Sequence, residues 1–164
     1  MFAEQAVLTE EGQTDHQAHK WFAIMSSELG EIRGTKARIL SSQVFQKHTE
    51  IALQLNPDDP DLHHMMGRFY FELSKISWTT RRMAAVALGS IPEASISDAL
   101  ERFKRAYALK PAWIMNGVWL ARALIDSRKK DEAKQVLEDV VKQEVHTEED
   151  EASLEKARSL LGSI

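Results

Sequence analysis

The chain has 164 residues, with 21 basic and 25 acidic side chains, a net charge of −4 and no cysteine. A single domain of this length buries roughly 68–70% of the surface its unfolded chain exposes, enough for a real core. The missing cysteines exclude a disulfide framework, a thiolate metal site and a cysteine nucleophile, and they suit a reducing, cytoplasmic setting.

Almost every segment reads as helix. Apolar residues recur at spacings of three and four among strong helix formers, and no alternating strand pattern is visible. Thr14 with Gln17 reads as a capping box opening a helix that carries Trp21, Ile24, Met25 and Leu29. Gly30 and Gly34 weaken the helical pattern there, and a second helix, about 36–55, ends at "NPDDP". Asp59 is a good N-cap, with Pro60 at the first helical position, for a helix through Leu62, Met66, Phe69, Tyr70 and Leu73. "SWTTRRMAAVALG" reads as a fourth helix, closed by Gly89. After the break at Pro92, Ser95 and Asp98 form a capping box before "ALERFKRAYAL". Pro111 opens the next helix, which runs to about Ile125. "DSRKKD" is then a turn, with Asp131 as N-cap of "EAKQVLEDVVKQ". Thr147 with Asp150 caps a last helix holding Leu154, Leu160 and Leu161. Trp21, Trp78 and Trp119 are expected in the core, with Trp78 anchoring the fourth helix, because large aromatics are usually buried.

The stretch "IALQLNPDDPDLHHMMGRFYF" is echoed later by "RAYALKPAWIMNGVWLARALI". Ala52, Leu55, Pro57 and Arg68 recur 54 positions on as Ala106, Leu109, Pro111 and Arg122, and small Gly67 recurs as small Ala121. Ala99, Phe103 and Ala106 recur 34 positions on as Ala133, Leu137 and Val140. A 34-residue period is that of a tetratricopeptide helix pair. The difference of 20 between the two spacings is an insertion, and it carries the "SWTTRRMAAVAL" helix. The expected fold is therefore all-α: antiparallel, tetratricopeptide-like helix pairs stacked as one superhelical domain over residues 1–164. Repeat 1 covers about 16–57, repeat 2 about 60–110 with an insert at 75–94, and repeat 3 about 112–145. A capping helix covers about 148–161. Each pair buries one face against the next and cannot do so alone.

The segment "LHHMMGRFYFELSKISWTTRRMAAVALGSIPEASISDALERFKRAYALKP" resembles the regulator of microtubule dynamics family. Gly-Arg before an aromatic, then Ser-Trp, the Ala-rich helix and "DALERFKRA" carry the likeness. "HKWFAIMSSELGEIRGTKARI" extends it over most of residues 16–145. The chain resembles the soluble worm-type member more than the vertebrate members with membrane anchors. The resemblance implies a protein of the cytoskeleton and mitotic spindle that associates with microtubules in chromosome segregation. It also implies an alternative, a lipid-binding or organelle-contact module; Phe22, Phe71, Ile125 and the "MAAVAL" helix are candidates to line such a pocket.

The recurring arginine has a meaning of its own. His64, Arg68, Phe71 and Lys75 form one helical stripe, and the echo repeats it as Val118, Arg122, Ile125 and Lys129. Stacked repeats would align Arg68 with Arg122 and Lys75 with Lys129 along one groove. Cationic rows spaced by apolar residues suit an extended acidic peptide, because arginine binds carboxylates bidentately. The acidic tails of tubulin are the expected partner, with Arg81 and Arg82 on the inserted helix as further contacts. A purely intramolecular reading pairs Arg68 with Glu72 and Arg122 with Asp126, four positions on. Acids cluster in residues 1–15 and 144–164, which leaves the middle of the chain mildly basic, a pattern that suits an acidic partner and equally ordinary surface charge for solubility.

Little points to catalysis or a cofactor. No phosphate-binding loop, nucleophile elbow or zinc-protease motif occurs, so the chain is expected not to be an enzyme. Adjacent His63 and His64 point different ways on a helix, a poor metal site. No basic aromatic motif suggests nucleic acid. No apolar run approaches the roughly 18–20 residues of a membrane span, and no basic stretch precedes an apolar core as in a signal peptide.

Overall fold

A computed structural model describes residues 2–88 and 92–164. Among them there are ten helices and no strand. In chain order these are α1 (Phe2–Ala6), α2 (Glu10–Gln13), α3 (His16–Arg33), α4 (Thr35–Leu55), α5 (Pro60–Lys75), α6 (Trp78–Leu88), α7 (Ile96–Leu109), α8 (Ile114–Asp126), α9 (Lys130–Val140) and α10 (Glu148–Leu161). The all-helical class expected from the residue pattern is the one observed.

The caps explain the boundaries, and four differ from expectation or escape description. Thr14 closes α2, and Asp15 instead opens α3, its Oδ1 accepting from Gln17 N at 2.8 Å. Aspartate accepts from the second helical amide without any reciprocal bond from Gln17, so a capping box was not needed. Pro111 lies in a turn before α8 rather than at its head, and Trp113 takes the N-cap position. Lys129, not Asp131, is the N-cap of α9, because Arg128 swings to a φ of 62° and brings the chain into the helix early. The expected closure of α6 by Gly89 lies outside the described residues. By contrast, Asp59 caps α5 through Asp61 N and Leu62 N, and Ser95–Asp98 and Thr147–Asp150 form full capping boxes.

The chain divides into two compact units. The first takes in the described residues of Met1–Leu62 and Lys75–Glu93. Its frame is α3 folded back on α4, with the turn made at the single residue Gly34, whose φ of 91° favours a residue without a side chain. α1 and α2 pack on α3, and α6 touches α4. Ala23, Ala52, Leu53 and Leu62 fill this unit, and the buried Thr49 hydroxyl donates to the Phe45 carbonyl at 2.7 Å. Two tryptophans expected inside are outside: Trp21 is 56% exposed and Trp78 68% exposed. Trp21, Met25, Leu29 and Ile32 form one stripe on the outer face of α3, while the opposite face, with Ala23 and Gly30, carries the packing.

The second unit takes in His63–Ser74 and Ala94–Ile164. Helix α8 runs through its middle, packed by α7, α9 and α10, and it contributes Ile114, Val118, Leu120, Ala121, Ala123 and Leu124 to one continuous core. Positions matched by the 34-residue echo, Ala99 with Ala133, Phe103 with Leu137 and Ala106 with Val140, are all buried. Leu154 and Ala157 close the core from α10.

Candidate functional site

The second unit brings the two echoed arginines to one indole. Trp119 sits half-buried on α8, and Arg122 stands one turn beyond it on the same helix. Arg68 arrives from α5. The guanidinium carbons lie 4.8 Å (Arg68) and 4.7 Å (Arg122) from the centroid of the Trp119 ring. The two charges are therefore no further apart than the sum of these distances, 9.5 Å.

The ring itself is held. Phe103 of α7 stacks with it at 6.3 Å and 21°, and Phe71 of α5 meets it edge-on at 5.7 Å. Gly67 makes this approach possible: a Cβ there would come within 2.6 Å of Phe103 Cδ1. A hydrogen-bonded thread runs beneath. His64 Nδ1 donates to Asn116 Oδ1 at 2.9 Å, and Asn116 Nδ2 donates to the Phe103 carbonyl at 3.1 Å, which ties α5, α8 and α7 together.

Each cation–π contact contributes on the order of 0.5–1 kcal/mol at an exposed site. Their larger effect is on order, since a free arginine side chain loses nearly 2 kcal/mol of rotamer entropy when it is fixed. Here the head groups are already gathered while both residues stay exposed. Whatever the carboxylates four positions on contribute, each guanidinium lies against the indole, and that contact gathers the two. The arrangement sets two exposed cations against one indole.

The other expected contacts are less uniform. Phe71 offers no surface to a partner: it is 4% exposed and belongs to the core beneath Trp119, because the stripe that carries Arg68 turns inward there. Ile125 is half-buried against the same core. Lys129 is exposed, and its Nζ lies 3.6 Å from Glu132 Oε1. Glu132 also accepts from Lys104 at 2.8 Å, and this bond, helped by both lysine charges, holds its carboxyl below the usual carboxylate range. Lys75 is exposed at the end of α5.

In the first unit, Arg81 donates from Nη1 to the Pro92 carbonyl at 2.6 Å. Arg82 lies over the Trp78 ring at 5.3 Å. Of the residues proposed to line a lipid pocket, Phe22 is turned edge-on to His48 at 4.5 Å and Phe71 is core of the other unit. The side chains at 84 and 86–88 of "MAAVAL" lie outside the described residues.

The residue that sequence reasoning missed is Trp119 as the platform. The signal was present: Trp119 stands three positions before Arg122, a spacing that puts the two on one helical face. Also unforeseen are two polar clusters in the first unit. Lys20 Nζ, buried, donates to Asp59 Oδ2 at 3.1 Å and Asp61 Oδ2 at 2.6 Å. His19 and His48 join through their Nδ1 atoms at 2.8 Å. Among the described residues no group of three or more His, Cys, Asp or Glu is placed to hold a metal ion, and no helix is long and apolar enough to cross a membrane.

Comparison with known proteins places the whole chain in one group. The family model for Regulator of microtubule dynamics protein 1-3 matches residues 1–164. Regulator of microtubule dynamics protein 1 of Pongo abelii is 31% identical over 164 residues, covering 99% of this chain and 52% of the relative. Regulator of microtubule dynamics protein 2 of Rattus norvegicus is 29% identical over 147 residues, covering 89% of this chain and 36% of the relative. Regulator of microtubule dynamics protein 3 of Bos taurus is 29% identical over 163 residues, covering 97% and 35%. The chain thus spans between about a third and a half of the length of these curated relatives. A match of the family model to residues 1–164 leads to one conclusion: the chain belongs to the regulator of microtubule dynamics protein 1-3 family.

Proposed function

We propose that this chain is a non-enzymatic interaction module that associates with microtubules by docking acidic segments, such as the tails of tubulin, on the Arg68–Trp119–Arg122 platform. The observation that carries this reading is the convergence of both arginines on one packed indole, with both residues exposed. The names of the relatives supply the microtubule context. The chemistry fits: guanidinium groups recognise carboxylates bidentately, and a gathered pair does so at a reduced entropic cost.

The test is co-sedimentation with microtubules. The Arg68→Glu/Arg122→Glu double variant is expected to weaken pelleting by about tenfold or more, because it replaces two attractions with two repulsions. Proteolytic removal of the tubulin tails is expected to do the same to the unmodified chain, and raised salt to weaken binding as charges are screened. Undiminished pelleting of a folded double variant would refute the dock.

A further inference from the structure

We infer that the platform reads spacing as well as charge: it selects extended peptides whose carboxylates alternate along the chain, at positions i and i+2. This rests on the reading of Arg68, Trp119 and Arg122 as an acidic-segment dock, and it deepens that reading.

The argument is geometric. Both guanidinium carbons are bound to one ring, so their separation cannot exceed 9.5 Å. In an extended strand each residue advances about 3.3 Å, and neighbouring side chains point to opposite sides. Carboxylates at i and i+1 therefore face apart, and only one of them can meet the platform. Carboxylates at i and i+2 share a side about 6.6 Å apart, below the ceiling of 9.5 Å on the separation of the two guanidinium carbons. Those at i and i+4 stand about 13 Å apart, further than the two guanidinium carbons can stand from each other.

The ring that carries the two cations is packed from more than one side. Trp119 is pinned by Phe103 and Phe71, and those two rings are themselves buried. Arg122 is one turn from the ring on α8, and Arg68 is carried on α5, held to α8 through the His64–Asn116 hydrogen bond. A pair of lysines on a loop would adapt to any spacing; two planar groups laid on one indole have a much narrower range.

The experiment compares two peptides of identical length, composition and charge in a glycine–glutamate host. In one, glutamates alternate with glycines; in the other, they stand in adjacent pairs separated by two glycines, so that no two are at i and i+2. Binding is read by fluorescence anisotropy of a dye on each peptide. The alternating peptide is expected to bind about fivefold more tightly, the worth of one further exposed charge pair. Arg68→Gln and Arg122→Gln, each at an exposed position, are expected to erase that preference while retaining weak binding to both peptides. Equal affinity of the unmodified chain for both peptides, with loss in the two variants, overturns the spacing rule and leaves the dock standing. Preference that persists in both variants also overturns the rule. Failure of the unmodified chain to bind either peptide overturns the dock and the rule together.

Discussion

His19 and His48 meet nitrogen to nitrogen, with Nδ1 atoms 2.8 Å apart and rings stacked at 5.0 Å across the α3–α4 pair. His19 Nε2 lies 3.3 Å from the Gln13 carbonyl, which can only accept, so that nitrogen carries a proton. In the neutral pair His19 Nδ1 then accepts from His48 Nδ1–H. Burial first, then the charges of His19 and Lys47, push the pKa of His48 down from 6.5 to about 4.

Acid should therefore weaken the first unit. A histidine whose folded pKa is depressed binds fewer protons in the folded state than in the unfolded one, so stability is complete above pH 6.5 and declines as pH falls toward 4. With half-exposure discounted for screening, the loss is about 1–2 kcal/mol. Urea midpoints measured from pH 7 to 4 check this. The slope should flatten in His48→Gln, and an unchanged slope in that variant would assign the acid sensitivity elsewhere.

Lys20→Met should be costly. The methionine keeps the stem, but it leaves the buried Asp59 carboxylate without its counter-ion. Breaking one side of a buried pair costs roughly 3–5 kcal/mol. The low end applies here, because Asp59 Oδ1 still accepts from Asp61 N and Leu62 N. The double variant Lys20→Met/Asp59→Asn should recover part of the loss in thermal unfolding.

Gly67→Ala tests the close approach of α5 to Phe103. The added methyl lands 2.6 Å from Cδ1 of a ring that is fully buried and cannot swing to solvent. Overpacking of this kind costs about 1–3 kcal/mol. Helix propensity favours alanine by up to about 1 kcal/mol, so a net stabilisation would mean that the ring yields more easily than its burial implies.

Asn116→Leu preserves volume and removes the thread between three helices. His64 Nδ1–H loses its acceptor and the Phe103 carbonyl loses a donor, both inside the unit. A cost of about 1–3 kcal/mol is expected, measurable by chemical denaturation. Amides of α5 and α8 should lose hydrogen-exchange protection first.

The helices and their caps were legible because they are local. Ser95 with Asp98, Thr147 with Asp150, and Asp59 before Pro60 are spacing rules that need no tertiary knowledge. The start of α9 was not legible, since Arg128 adopts a positive φ that favours glycine or asparagine and carries no residue signature. Burial of tryptophans was misjudged for a related reason. Trp21 and Trp119 look alike as large aromatics on amphipathic helices, and only the partners that arrive from other elements decide which is covered. The echo of Arg68 in Arg122 was visible, yet their common seat was not. A 54-residue period indicates equivalent positions and says nothing of the one ring that both contact. The buried Lys20 was invisible for the opposite reason, as its partners lie 39 and 41 residues away with no repeat to flag them.

Because Arg68 and Arg122 are brought together by tertiary structure alone, an unfolded chain has no such cation pair to offer. Any acidic ligand that engages both must then raise the melting temperature by mass action, in proportion to the logarithm of its concentration. Occupancy of the indole platform and persistence of the second unit are thermodynamically one equilibrium, so a cell rich in ligand would also hold more of the protein intact.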